Sequence, residues 1–232
     1  MKINGSVQYN NDGMRIPLKA MQTQSRLISI HNENVTGFDK VGYQRKEAVV
    51  SSFSEYLGPD GISTSIDDKV GRINMTKKPL DLAIAQKGYF QVETDNGIKL
   101  TRDGRFKIDK DGNLLTLEDF KVLSDSGMPI KLHLVPDTVE KIKIDSDGAL
   151  RVFNDKTGKL EGVATVGVVD ANGVLVEKPD VKQGYLEYSN VAMQNEFIEM
   201  MPVIRNFEAN RNMFLIQNQN LQKLINQLGS TS

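Results

Sequence analysis

Two segments of this chain place oxygen ligands at a spacing that calcium loops use. In Asp109-Lys110-Asp111-Gly112-Asn113, the residues Asp109, Asp111 and Asn113 occupy positions 1, 3 and 5 of such a loop. Position 6 must be glycine for the sharp turn, yet here it is Leu114. In the second segment, from Asp145, positions 5 and 6 are Ala149 and Leu150. The glycine falls two places early in both, so both read as hairpin turns and no metal site is assigned. The chain has two histidines, His31 and His133, which excludes a multi-histidine metal centre within one copy; both read as structural. With no Cys there is no thiol catalysis, no disulfide framework and no zinc–thiolate site. Neither G-x-S-x-G nor H-E-x-x-H occurs. Gly162 and Gly167 have the spacing of a phosphate loop, but Val168 and Val169 follow where Lys and Ser/Thr are needed. The aspartates cluster in turn signals, where their side chains bond nearby backbone, which leaves a paired-carboxylate hydrolase little support. No catalytic residue and no cofactor is assigned, and the chain is not expected to be an enzyme.

The bulk properties agree. The 232 residues carry 29 Lys+Arg against 30 Asp+Glu, a net charge of -1 that leaves no footprint for nucleic acid or acidic lipid. Mean hydropathy is -0.37, and no stretch approaches the roughly 20 apolar residues of a membrane span. The first residues hold one Lys and no apolar run, so no cleavable secretory signal is expected.

The elements that must position any function fall into three parts. From Asp12 to about Val35 the pattern is helical: Met14, Leu18, Met21, Ser25, Ile28, Asn32 and Val35 alternate spacings of four and three. Pro17 lies near the expected start, where a helix tolerates proline. A second stripe is longer: Met193, Phe197, Met200, Ile204, Phe207, Arg211, Phe214, Asn218, Leu221, Ile225 and Leu228. Asn190 is the expected N-cap and Gly229 the stop; Pro202 should kink or divide the helix. Alternating four and three averages 3.5, the period of a seam between packed helices. The stripes fit either pairing within the chain or seams to other subunits, and the spacing does not separate the two. Between Asn190 and Leu228, 13 of 39 residues are Asn or Gln. Amides can bond to neighbours without the desolvation cost of burying charge, which suits a helix surrounded on more than one side.

The middle, from Arg45 to Tyr188, reads as β structure. Short β-favouring runs are separated by Asn96-Gly97, Asp103-Gly104, Asp111-Gly112, Asp147-Gly148 and Asn172-Gly173, all expected as hairpin turns. The segments FKIDKDGNLL from Phe106 and IKIDSDGAL from Ile142 read as two copies of one local hairpin.

Three blocks resemble the axial proteins of the bacterial flagellum, the rod and hook proteins of the basal body. The first is NVTGFDKVGYQRK from Asn34, where Gly42, Tyr43 and Arg45 match the family's ending, while Gly37 and Lys40 depart from its second Asn and its Thr. The second runs from Lys78 to Thr116. It holds Pro79-Leu80-Asp81, Gly88-Tyr89-Phe90, Thr101-Arg102-Asp103-Gly104, Phe106 and Asp111-Gly112. The third, from Gln183 to Gln222, holds Gly184-Tyr185-Leu186-Glu187, Ser189-Asn190-Val191, Glu199-Met200, Arg205, Phe207-Glu208 and Asn210; Pro202 departs from the pattern.

The resemblance implies an α+β fold: N- and C-terminal helices forming a coiled-coil-like element, with a central, mainly antiparallel β domain. It implies a homo-oligomer in helical array whose helices line a tube enclosing the export channel. Met14, Leu18, Met21, Ile28, Val35, Phe197, Met200, Ile204, Phe207, Phe214, Leu221, Ile225 and Leu228 are the expected assembly interface. Expected partners are other rod and hook axial proteins and the flagellar type III export apparatus, with no nucleic acid and no membrane insertion. The expected location is the flagellar basal body, reached without a cleaved signal peptide. Expected boundaries are a helical segment 1–35, a linker of extended or hairpin character 36–79, a β-rich domain 80–188 and a helical segment 189–232. Size and the single β region favour a rod protein, proximal or distal. A hook-type subunit and, from another class, a secreted β-rich binding module are the alternatives.

Overall fold

A computed structural model describes residues 7–52 and 57–229. The fold is α+β, with a mainly antiparallel β body and a long helix at each end of the chain. Two compact units divide it. One gathers Met1–Thr36, Lys46–Asp67 and Ala192–Ser232; the other gathers Gly37–Arg45 and Asp68–Val191.

The first unit holds helix α1, Val7–Gly37, helix α2, Met193–Gly229, and a ribbon of β1, Lys46–Val50, paired with β2, Ile62–Ile66. Because α1 begins earlier than the apolar stripe does, Pro17 lies inside the helix and not in its first turn. The helix continues past it, with Pro17 itself buried. Nor does Pro202 divide α2, which runs unbroken on both sides of it. Each proline removes one ladder hydrogen bond, and in a long helix the remaining bonds and side-chain packing carry that loss. Asn190 is not the N-cap. The first turn of α2 is closed by Ala192, whose carbonyl accepts from the N–H groups of Asn195 and Glu196. Asn190 instead holds loops: its Oδ1 accepts from the Arg45 N–H at 2.7 Å and its Nδ2 donates to the Lys69 carbonyl at 3.0 Å.

In the second unit the core is built from strands whose alternate residues point inward. The largest sheet centres on β5, Tyr89–Thr94, flanked by β6, Gly97–Thr101, by β13, Val168–Val169, and by β9, Lys121–Val122. β8, Leu114–Thr116, and β7, Phe106–Ile108, continue it. A three-stranded sheet joins β10, Ile142–Ile144, β11, Ala149–Asn154, and β12, Lys159–Thr165. Two further pairs join distant segments: β4, Leu82–Ile84, with β14, Val181–Gln183, and β3, Arg72–Met75, with β15, Tyr185–Tyr188. Phe90, Val92, Leu114, Val122, Ile142, Leu150, Val152 and Val168 form one continuous buried cluster. Phe90 meets Phe106 edge to face, with ring centroids 5.2 Å apart.

The two similar segments do make the same hairpin. In each, a five-residue loop follows a strand: the first N–H donates to the fifth carbonyl (Asp109 to Asn113, Asp145 to Ala149), and the fourth N–H donates back to the first carbonyl (Gly112 to Asp109, Gly148 to Asp145). The body uses this loop three more times, at Thr116–Phe120, Ser124–Met128 and Asp170–Val174, with the same pair of backbone bonds. The fourth position has positive φ in all five. Glycine fills it four times, and Asp119 stands there once with φ 67°. The first residue is always Asp, Ser or Thr. Asp109, Asp170, Ser124 and Thr116 each accept from a later N–H of their own loop. These bonds explain the aspartates. The Asn113 amide and the loop N–H groups hold the Asp109 carboxyl below the ordinary aspartate range, and the Val174 and Asn172 N–H groups do the same for Asp170.

Asp103-Gly104 is not a hairpin turn. Its flanking strands pair elsewhere, β6 with β5 and β7 with β8. Gly104 is needed for a different reason: a Cβ there would sit 1.7 Å from the Leu82 carbonyl oxygen, at a crossing where the Leu82 N–H donates to the Gly104 carbonyl at 2.9 Å.

Candidate assembly surface

Most residues of the three sequence blocks lie in the β-bearing unit, and they meet around one buried ion pair. Arg102 on the loop after β6 and Glu187 on β15 are both buried, with guanidinium and carboxylate 2.5 Å apart. The remaining guanidinium hydrogens donate to the carbonyls of Ile84, Gln86 and Gly88. The other Glu187 oxygen accepts from the Gly71 N–H at 2.8 Å. A buried pair holds only when its spare donors and acceptors are satisfied, and here backbone satisfies them. Gly42 comes in beside Arg102 and donates its N–H to the Glu187 carbonyl. With φ 68° and the Asp103 nitrogen 2.4 Å from any added Cβ, no other residue fits there without a shift.

The other motif residues act locally. Gly184, with φ 78°, donates to the Asp81 carbonyl and accepts from Thr76 and Lys77. The Pro79 carbonyl accepts from the Gln183 amide. Leu80, Phe90 and Leu186 fill the interior, while Tyr89 places its ring 6.0 Å from the Arg102 guanidinium carbon. Tyr185 is half-buried on β15. Gly37, the departure from the first block, has a physical reason: the Tyr43 ring occupies the space where its Cβ would be, 2.5 Å away. On α2, Arg205 and Glu208 are exposed and Asn210 is half-buried.

The expected seam residues lie in the helical unit, and none is fully buried. Met14, Met21, Ile28, Val35, Met200, Ile204, Phe207, Phe214 and Leu221 are half-buried. Leu18, Phe197, Ile225 and Leu228 are exposed. The polar contacts between α1 and α2 use other residues. Gln217 lies against the open side of Gly13, Asn210 Nδ2 reaches Gln24 Oε1 at 3.4 Å, and His31 Nδ1 meets Glu196 Oε2 at 2.7 Å. The pairs run in opposite directions along the two helices, so the helices are antiparallel. Each contact residue precedes a stripe position by one: 13, 24 and 31 against 14, 25 and 32, and 196, 210 and 217 against 197, 211 and 218. The polar contacts between the two helices thus lie beside the stripes, whose members are half-buried or exposed. Sequence reasoning missed the His31–Glu196 pair, because 165 residues separate its members. Nearby, Lys46 holds the Glu33 carboxyl below its ordinary range across 2.7 Å. Among the described residues no helix is long and apolar enough to cross a membrane.

Residues 83–152 match the flagellar hook protein FlgE/F/G D1 domain, and residues 182–228 match the flagellar basal body rod FlgEFG protein C-terminal family. The flagellar basal-body rod protein FlgG of Bacillus subtilis is 28% identical over 254 residues, covering 90% of this chain and 95% of the relative. The rod protein FlgF of Rhizobium meliloti is 27% identical, covering 94% and 98%. FlgF of Caulobacter vibrioides is 30% identical over 200 residues, covering 78% of this chain and 81% of the relative. The two family matches fall on the strands around Arg102 and on the β15–α2 segment that supplies Glu187 and the second seam. The chain therefore belongs to the bacterial flagellar hook and basal-body rod protein family.

Proposed function

We propose that this chain is a structural, self-assembling subunit of the flagellar basal-body rod. The observation that carries it is the apolar surface left open on the terminal helices. Phe197 is 46% exposed, Ile198 70% and Leu228 74%, with Met201, Met213, Leu215, Ile216, Leu224 and Ile225 exposed between them. Soluble monomers rarely leave so many large apolar side chains of one helix uncovered, and partner copies of the same helices would cover them. In this reading the seam residues pack α1 and α2 between copies as a coiled-coil-like lining, and the array forms a tube that encloses the export channel. Partners are further copies, other rod and hook proteins and the type III export apparatus. The role is mechanical, the transmission of torque, and requires no catalytic group or cofactor. The location is the basal body. The helical segments 1–35 and 189–232 are the assembly parts, 80–188 the β body and 36–79 the connection.

The test replaces Phe197 and Ile225 with Ser together in a motile strain. The expected result is a chain that is made and exported but absent from basal bodies under electron microscopy, with motility lost. Intact rods containing the doubly substituted chain would overturn the reading.

A further inference from the structure

We propose that His31, Glu196 and Glu199 form a binding site for a divalent transition-metal ion of the zinc class, bridging α1 and α2. One potential ligand atom from each of the three lies within 4.8 Å of the others. Glu196 and Glu199 are three apart on α2, so they share a face, and His31 comes from α1. One imidazole and two carboxylates are a ligand set that suits zinc and leaves a fourth position for water. The site is graded from inside to outside. Glu196 is 0% exposed, His31 is half-buried and Glu199 is exposed, which gives an ion a path inward.

The surroundings orient the inner carboxylate. Asn34 donates through Nδ2 to Glu196 Oε2 at 3.1 Å, the oxygen that also meets His31. Asn34 is itself fixed by backbone at 2.8 Å on both ends: Nδ2 donates to the Lys46 carbonyl and Oδ1 accepts from the Lys46 N–H. An outer amide that steers a ligating carboxylate is the usual second layer of a metal site. His31 Nδ1 and Glu196 Oε2 are 2.7 Å apart, a hydrogen-bond distance. Two ligands on one tetrahedral zinc sit roughly 3.3 Å apart, so the His31–Glu196 pair opens by about half an ångström and the exposed Glu199 side chain, within 4.8 Å of the other two, closes on them to admit the ion. The ion then takes the place of the proton in that bond, with the imidazole neutral and both carboxylates ionised. It would cross-link the two helices.

The inference is independent of the rod reading and is tested on the full chain. Zinc is titrated by calorimetry near neutral pH, and cobalt serves as an optical probe. With no Cys and only one other histidine, the exposed His133, the background is low. The expected result is one saturating equivalent, a raised melting temperature that follows free zinc, and perturbed imidazole resonances from His31 alone. Glu199→Gln, at an exposed position, should keep its circular dichroism and bind at least about tenfold more weakly. His31→Gln should lose the site, and His133→Gln should not change it. Absence of saturation up to ~1 mM, the weak end of specific binding, would overturn the proposal. So would unchanged affinity in a folded Glu199→Gln chain, which decides the matter even if His31→Gln fails to fold.

Discussion

The two units of this chain bury their apolar residues in opposite ways. In the β-bearing unit, strands from residues 72 to 188 close over a continuous core from Leu80 to Val181, and the buried Arg102 and Glu187 are paired with each other and with backbone. In the helical unit, Ile30 is the one large hydrophobic side chain that is buried among the described residues besides Pro17, while fifteen large apolar residues stand exposed, from Ile16 to Leu228. A unit that closes its own core is stable without neighbours. A unit whose apolar rows stay open gains its stability when something covers them. The chain thus separates a unit that closes a core of its own from one that leaves large apolar side chains open.

The comparison is broken most forcefully at Arg102. Arg102→Ala would leave Glu187 buried without its cation and three carbonyls without their donor, at a cost of about 3–5 kcal/mol. Urea denaturation followed by tyrosine fluorescence measures it, and a loss under about 1 kcal/mol would mean that water replaces the guanidinium. Next is Gly104→Ala, which sets a methyl 1.7 Å from the Leu82 carbonyl oxygen. Backbone cannot swing aside as a side chain can, so a loss of about 2–3 kcal/mol is expected in the same assay.

How much of this was legible in the sequence follows from the range of each signal. The helices, the antiparallel body and the Asx-Gly loops are local patterns, and they were read correctly as types. Asp103-Gly104 was not, because a glycine for close backbone approach and a glycine for a turn look alike until the strand partners are known. Thr116–Phe120 and Ser124–Met128 went unread as loops of the same kind. The first has Asp119 in the place of glycine and opens on Thr, and the second opens on Ser, where the three Asx-Gly loops open on Asp. The start of α1 was missed because its first turns lie outside the apolar stripe, which also misplaced Pro17. The polar contacts between the helices had no signature at all, since His31 and Glu196 become neighbours only after the chain returns on itself. The seam residues were read from periodicity, which reports which residues share a face but not what covers it.

A smaller test sharpens the account of the β-bearing unit. Asp119→Gly gives the fifth loop the residue that the other four use at positive φ, and should stabilise the chain by about 1 kcal/mol or less. Loss of the exposed Lys107–Asp119 pair, 2.6 Å apart, offsets little of this. A rise in melting temperature is the expected sign. A fall would mean that the Asp119 side chain contributes more than its backbone strain costs.

The smallest effect belongs to the helical unit. Ile198, 70% exposed, makes little use of its side chain within one chain. Ile198→Ser should therefore change the stability of the isolated chain by no more than about 0.5 kcal/mol, whereas the same change in the β core, such as Ile142→Ser, removes a fully buried side chain at several times that cost. Both chains are compared by urea denaturation at low concentration, where self-association does not contribute. If Ile198→Ser proved as costly as Ile142→Ser, the helical row would already be covered within a single chain, and the contrast between a closed unit and an open one would fail.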